Sequence, residues 1–224
     1  MNGLFITFEG TEGSGKSTQI QLLAERLRKM ERPVRLLREP GATPIGEEIR
    51  HTLQHSAQNQ SMTPEAELLL INASRAQLVR EVIRPALKAG EIVICDRFYD
   101  STRAYQGHGR GLDLAFVERL TDFAVGPTRP VLTLLLFVPV DVSEARRARR
   151  QTGEVRQRDR MEEADREFFL RVERGYQAIA KGEPDRVKLL DATKPVPVVA
   201  DSVWKAVEDL IKQGRSTLRS ALNE

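Results

Sequence analysis

Lys16 and Ser17 close the run Gly10-Thr11-Glu12-Gly13-Ser14-Gly15-Lys16-Ser17, a complete G-x-x-x-x-G-K-S spacing. The apolar run Leu4-Phe5-Ile6-Thr7-Phe8 precedes it, and Thr18-Gln19-Ile20-Gln21-Leu22-Leu23, with a helical pattern, follows. Such a spacing arises by chance in roughly one chain of this length per hundred, and more rarely between a strand and a helix. Glycines there let backbone N–H groups turn inward, and the helix N-terminus adds partial positive charge. The stretch from Gly10 to Thr18 therefore reads as a cradle for the phosphates of a nucleoside triphosphate. The Lys16 ammonium would reach the β- and γ-phosphates, and the Ser17 hydroxyl would ligate Mg²⁺. Glu12 is out of place among phosphates unless it has a donor or cation to face, such as a substrate hydroxyl.

Two other segments carry charge where strands should end. Val34–Arg38 runs into Arg38-Glu39-Pro40-Gly41, and Glu91–Asp96 ends in Asp96-Arg97. In an open α/β sheet, ligands sit beyond the carboxyl ends of the strands. Asp96 is then placed to hold Mg²⁺ through water, with Arg97 beside it. A third concentration of charge lies between Arg146 and Arg160, where seven arginines face Glu154 and Asp159, a local charge of +5 within a chain of net +3. No aromatic residue interleaves with them, so they suit phosphate oxygens better than the stacked bases of a single strand. His51, His55 and His108 have no partner at a telling spacing and read as surface or helix-flank residues. An acceptor that is already an anion needs no general base, only positioning and charge neutralisation. A kinase of nucleoside monophosphates has that acceptor, and an arginine-rich lid would exclude water from it.

The elements that must position these groups alternate. Strands are expected at Leu4–Glu9, Val34–Arg38, Glu91–Asp96, Val131–Val138 and Val187–Asp191. Most are apolar at consecutive positions, as parallel strands buried on both faces require. Helices are expected at Thr18–Met30, Pro44–Leu53, Pro64–Lys88, Asp113–Val125, Ser143–Arg150, Glu162–Lys181 and Val196–Lys212, with Thr63-Pro64-Glu65 a capped start. The pattern predicts an α/β fold: a doubly wound, mostly parallel five-stranded sheet in one domain over 1–214. That domain includes a short arginine-rich lid at about 146–160, of which Gln151–Arg160 is the mobile part, and 215–224 form a polar tail. The chain of 224 residues, 40% hydrophobic and 30% charged, fits a globular enzyme. No apolar run reaches the ~18 residues of a membrane span, and the small net charge gives no call for nucleic acid. The single cysteine, Cys95, excludes an intramolecular disulfide framework and reads as a buried strand residue. A cytoplasmic location is expected.

The segment Asp96-Arg97-Phe98-Tyr99-Asp100-Ser101-Thr102-Arg103-Ala104-Tyr105-Gln106 closely resembles the D-R-[YF]-x-x-S-x-x-A-Y-Q signature of thymidylate kinases, in their bacterial branch. Phe8-Glu9-Gly10, Arg38-Glu39-Pro40-Gly41, Ala73-Ser74-Arg75 and Asp191-Ala192-Thr193 extend the resemblance over nearly the whole chain. It implies transfer of the γ-phosphoryl group of ATP to dTMP with Mg²⁺, in a homodimer built through apolar helix faces such as Pro64–Lys88. It also assigns roles. Glu12 would contact the sugar 3′-hydroxyl, Arg38 the monophosphate, and Arg97 both phosphates, with Asp96 and Ser17 on the metal side. Arg75 would bond the thymine edge, with Ser101, Thr102 and Gln106 nearby, and Tyr105 would lie under the deoxyribose. The loop carries no arginine, so catalytic charge besides Lys16 and Arg97 would come from the lid, from Arg156, Arg158 or Arg160. Two positions depart from the pattern: Ile71 stands where a stacking phenylalanine is usual, and Ala42 where a glycine is common. Another monophosphate as acceptor, or a nucleic-acid ATPase, are the alternatives.

Overall fold

In a computed structural model, residues 3–56, 58–151 and 165–221 are described. The backbone alternates as the sequence predicts: β1 (Leu4–Glu9), α1 (Lys16–Lys29), β2 (Val34–Arg38), α2 (Pro44–Gln54), α3 (Pro64–Leu78), α4 (Arg84–Lys88), β3 (Ile92–Asp96), α5 (Tyr99–Thr102), α6 (Leu114–Val125), β4 (Leu132–Phe137), α7 (Val140–Gln151), α8 (Arg166–Gly182), β5 (Val187–Asp191) and α9 (Val196–Ala221). The five strands form one sheet in the order β2-β3-β1-β4-β5, every pair parallel. The expected fold class holds. β1 lies in the centre, with β3 and β2 on one side and β4 and β5 on the other, so the connections diverge beside its carboxyl end.

Period-two alternation sorts the core. Ile6 and Phe8 of β1, Ile92 and Ile94 of β3, and Leu132, Leu134 and Leu136 of β4 face α1 and α9. Phe5, Val93 and Cys95 point the other way, toward α3, its continuation and Phe98. On that same side Leu135 meets α8. Cys95 is fully buried, and burial pushes its thiol well above the usual range.

Thr63 caps α3 by accepting from the Ala66 N–H at 3.3 Å, with Pro64 in the first turn. The expected single helix over Pro64–Lys88 is one continuous helical run, with a π-helical stretch at Val79–Ile83 joining α3 to α4. α9 continues beyond the expected Lys212 to Ala221. The sequence analysis missed a helical segment: α5 leads into a π-helical stretch at Arg103–Gly109. Its composition, Arg-Ala-Tyr-Gln-Gly-His-Gly, has no amphipathic period, and packing against α8 holds it instead. His108, expected at a surface, is half-buried there against Gly175 of α8. His51 and His55 are exposed on α2 and at its end.

The α8 contact leaves no slack. A Cβ on Gly109 would lie 2.6 Å from Cε2 of Phe168 and 2.9 Å from Cγ2 of Val172, both buried side chains. Gly109→Ala is expected to cost roughly 1–3 kcal/mol. For a chain of this size that is a loss in Tm of about 2–4 °C per kcal/mol. An unchanged melting curve would show that α8 can move away freely.

Candidate active site

The loop after β1 bends where the sequence places glycine. Gly10 has φ +135° and its backbone passes so close to β4 that a Cβ would sit 2.4 Å from the Leu136 carbonyl oxygen. Gly15, at φ +88°, starts α1, and no side chain caps that helix. The first N–H groups of α1 thus point out of the loop without a side-chain acceptor, the arrangement that receives an anion. Lys16 curls back over the loop, its Nζ donating to the Gly10 and Thr11 carbonyls at 3.0 Å each. Burial, then the nearby Arg97, lowers its pKa to about 7, with Asp96, Glu9 and Glu12 acting in the other direction. The Ser143 hydroxyl on α7 donates to the Glu12 carbonyl at 2.7 Å. Arg146 on the same helix donates to the Gly13 carbonyl at 3.2 Å and to that of Ala192 at 2.9 Å. The loop is therefore braced from outside, and Arg146 ties it to the stretch after β5.

A cleft of about 360 Å³ opens at the carboxyl edge of the sheet. Glu12, Gly13, Gly15, Lys16, Ser17 and Thr18 line it together with Arg38, Ile71, Arg75, Asp96, Arg97, Ser101, Thr102, Tyr105 and Gln106. Because β3 lies between β2 and β1, Asp96 and Arg97 leave the sheet between Arg38 and the loop. The three strand ends converge as the sequence implied. Thr11 Oγ1, Ser14 Oγ, Glu39 Oε1, Asp96 Oδ1 and Thr102 Oγ1, in or beside this cleft, are buried without a hydrogen-bond partner among the described residues. Buried polar groups are normally satisfied, so such a concentration marks where ligand atoms belong. Asp96 Oδ1 and the exposed Ser17 hydroxyl offer hard oxygen donors of the kind that suits Mg²⁺.

Each remaining side chain has a distinct setting. Arg38 is exposed and pairs with Glu47 at 2.9 Å, and the other Glu47 oxygen accepts from the Ala42 N–H at 2.6 Å. That bond steadies Ala42 at φ +64°, a conformation that glycine adopts without the steric cost an alanine bears. Arg75 is 1% exposed and paired with the buried Glu39 at 2.7 Å, with a further bond to Asn72 at 3.3 Å. These bonds fix its guanidinium edge at the cleft wall. Gln106 donates to Glu67 at 2.8 Å, and Arg110 pairs with the same buried carboxylate at 3.1 Å. This orients the Gln106 amide from behind. Ile71 is nearly buried and lines the cleft.

Arg97 stands at φ +70°, strained for a residue with a Cβ. Its N–H bonds the Phe8 carbonyl at 2.9 Å, and its guanidinium donates to Ser101 Oγ (3.0 Å), Tyr176 OH (3.2 Å) and Tyr105 OH (3.3 Å). Arg156, Arg158 and Arg160 lie outside the described residues.

The sequence analysis missed several contributors. Phe169 of α8 and Arg50, Leu53 and Gln54 of α2 complete the cleft wall. Tyr176 reaches the site from residue 176 with no local motif to announce it. Glu9 entered only through the Phe8-Glu9-Gly10 resemblance, with no role assigned, although an acid closing an otherwise apolar strand is a signal that could have found it. It is fully buried, and burial, then Asp100, raises its pKa to about 7 against the opposing Arg97, Ser101 and Phe98 N–H.

A phosphate loop on a parallel sheet, sharing one cleft with Arg38, Arg75 and Arg97, fits a kinase of nucleoside monophosphates. A family model described as thymidylate kinase matches residues 8–203. The thymidylate kinase of Thermomicrobium roseum is 48% identical over 211 residues, 94% of this chain and 97% of that protein. That of Pseudomonas fluorescens Pf-5 is 47% identical over 215 residues, 96% and 100% respectively. The crystal structure of thymidylate kinase from Ehrlichia chaffeensis superposes with a TM-score of 0.74 at 34% identity, covering 93% of this chain and 99% of that one. The chain belongs to the thymidylate kinase family, whose reaction is ATP-dependent phosphorylation of dTMP.

Proposed function

We propose that the cleft transfers the γ-phosphoryl group of ATP directly to a phosphate oxygen of dTMP, giving dTDP and ADP. The observation that carries this reading is that one cleft is lined by the phosphate loop and by Arg38, Ile71 and Arg75, with Arg97 leaving β3 between the strands that carry the loop and Arg38. ATP phosphates lie on the Gly10–Thr18 loop, with Lys16 turning from the loop carbonyls to the β- and γ-phosphates. Asp96 and Ser17 hold Mg²⁺, which supplies charge neutralisation at the triphosphate. Arg38 takes the acceptor phosphate, Glu12 accepts from the sugar 3′-hydroxyl, and Tyr105 packs under the deoxyribose, where a 2′-hydroxyl is crowded. Arg75 and Gln106 read the base edge beside Ser101 and Thr102, and Ile71 covers its face. One of Arg156, Arg158 and Arg160, in a lid at about 146–160 of the single kinase domain, adds charge at the transferred group.

We further propose a homodimer. Leu69 on α3 and Phe116 and Phe123 on α6 are exposed, Phe123 at 78%, on two helices that pack together. A cytoplasmic location belongs to the same reading. Among the described residues no helix is long and apolar enough to cross a membrane.

The test is ADP release from ATP and Mg²⁺ with dTMP, dUMP, UMP, AMP, GMP or no acceptor. Turnover that depends on dTMP, with UMP poor, is expected. Ile71→Phe should add a stacking contribution on the order of 1 kcal/mol, lowering KM for dTMP about fivefold. Release stimulated by DNA, or by no monophosphate, would overturn the assignment.

A further inference from the structure

The guanidinium of Arg97 has an unusual set of partners. Its hydrogen bonds go to three hydroxyls, those of Ser101, Tyr176 and Tyr105, with its charged carbon 5.0 Å from the Tyr105 ring centre. A carboxylate in direct contact would neutralise it and weaken its hold on phosphate. The counter-charge is present one atom further back. Tyr176 OH donates to Glu9 Oε2 at 2.8 Å and Ser101 Oγ donates to the same oxygen at 2.5 Å. Glu9 Oε1 meanwhile accepts from the N–H groups of Phe98 at 2.8 Å and Ser101 at 3.2 Å.

Counting hydrogens makes this arrangement directional. Each hydroxyl has one hydrogen and two acceptor lone pairs. When both hydrogens point at Glu9 Oε2, both oxygens turn lone pairs to Nη1 of Arg97, which lies 3.0 and 3.2 Å away. The 3.0 Å approach of Ser101 Oγ to Tyr176 OH then follows from their convergence on one carboxylate oxygen.

We propose that Tyr176 is a positioning residue for phosphoryl transfer. Through its hydroxyl, and together with Ser101, it aims the Arg97 guanidinium across the cleft while keeping the Glu9 carboxylate out of contact with it. This deepens the reading above and rests on Arg97 acting at the transferred phosphoryl group. Tyr176 is buried and comes from α8, 79 residues beyond Arg97, so no local pattern supplies it. Its ring packs edge-on against Tyr105 at 6.2 Å between centroids, a contact that phenylalanine would keep.

Tyr176→Phe is therefore expected to lower kcat at least tenfold at saturating ATP and dTMP. KM for ATP should stay within about twofold and Tm within a few degrees. Ile179→Val, a buried change one turn along α8, is expected to lower Tm and leave kcat unchanged. The decisive measurement is the double-mutant cycle: in an Arg97→Ala background, Tyr176→Phe should cost nothing further. Additive losses, a Tyr176→Phe kcat within twofold of the parent, or an equal kcat loss in Ile179→Val would each overturn the proposal. Arg97→Ala alone tests the role of Arg97 itself, so the two readings fail separately.

Discussion

Arg97→Ala is expected to lower kcat by roughly 10³, a loss near 4 kcal/mol, while KM for ATP changes little. The residue lines the same cleft as Lys16 and Ser17 of the loop and as Arg38 and Arg75, and in phosphoryl transfer the charge spread over the transferred group is greatest in the transition state. A cation positioned there strengthens its contact as the reaction proceeds, which raises kcat more than it tightens ground-state binding. Burial disfavours the charged form of Arg97, but the surrounding hydroxyls with Glu9 and Asp96 outweigh that and raise its pKa well above the usual range. It stays a cation at any working pH. Arg97→Lys should recover little, because one ammonium cannot reach three hydroxyls while presenting a planar face to phosphate. Steady-state kinetics with each substrate varied decide the matter. A kcat for Arg97→Ala within tenfold of the parent would remove Arg97 from the chemistry.

Lys16→Met should be comparably damaging, with a second signature in pH. The Lys16 ammonium rests on two loop carbonyls and is buried, with a pKa lowered to about 7. Bound triphosphate favours the charged form and raises that pKa. At pH 8 to 9, where Lys16 is largely neutral before binding, ATP should bring a proton with it. The sign follows from linkage: apparent ATP affinity falls as pH rises above about 7, by up to one proton per ATP. ATP itself is fully ionised there, since its last phosphate pKa is about 6. Calorimetry in two buffers of different ionisation enthalpy measures the uptake, which Lys16→Met should abolish. Absence of uptake in the parent at pH 8.5 would mean that Lys16 is already charged before ATP binds.

Much of this site was legible from local signals. The glycine spacing after an apolar run specifies a strand, a tight loop and a helix start, since the positive φ of Gly10 and Gly15 is open to glycine without steric cost and the Gly10 backbone leaves no room for a Cβ. The Asp96–Gln106 segment carries six cleft-lining residues besides Asp96 itself: Arg97, Phe98, Ser101, Thr102, Tyr105 and Gln106. Ile71 was placed by the resemblance alone, as the position where a stacking phenylalanine is usual, and it does line the cleft. Other features had no such mark. The helical course of Tyr99–Gly109 comes from burial under α8 and not from its own residues, two of them glycines in the π stretch. The commitment of Arg75 to Glu39 joins positions 36 residues apart. Phe169 looks in sequence like any apolar helix residue.

The sequence by itself determined the strand-loop-helix at the head of the chain, the alternation that makes the sheet parallel, and the identity of most groups that line the cleft. Those properties depend on backbone freedom, side-chain type and period, all written within a few residues. Only the tertiary structure decided which hydroxyls hold Arg97, because that depends on Glu9 and Tyr176, 167 residues apart, converging with Ser101 on one buried oxygen. Hydrogen bonds act over about 3 Å, and the chain folds before such a distance exists.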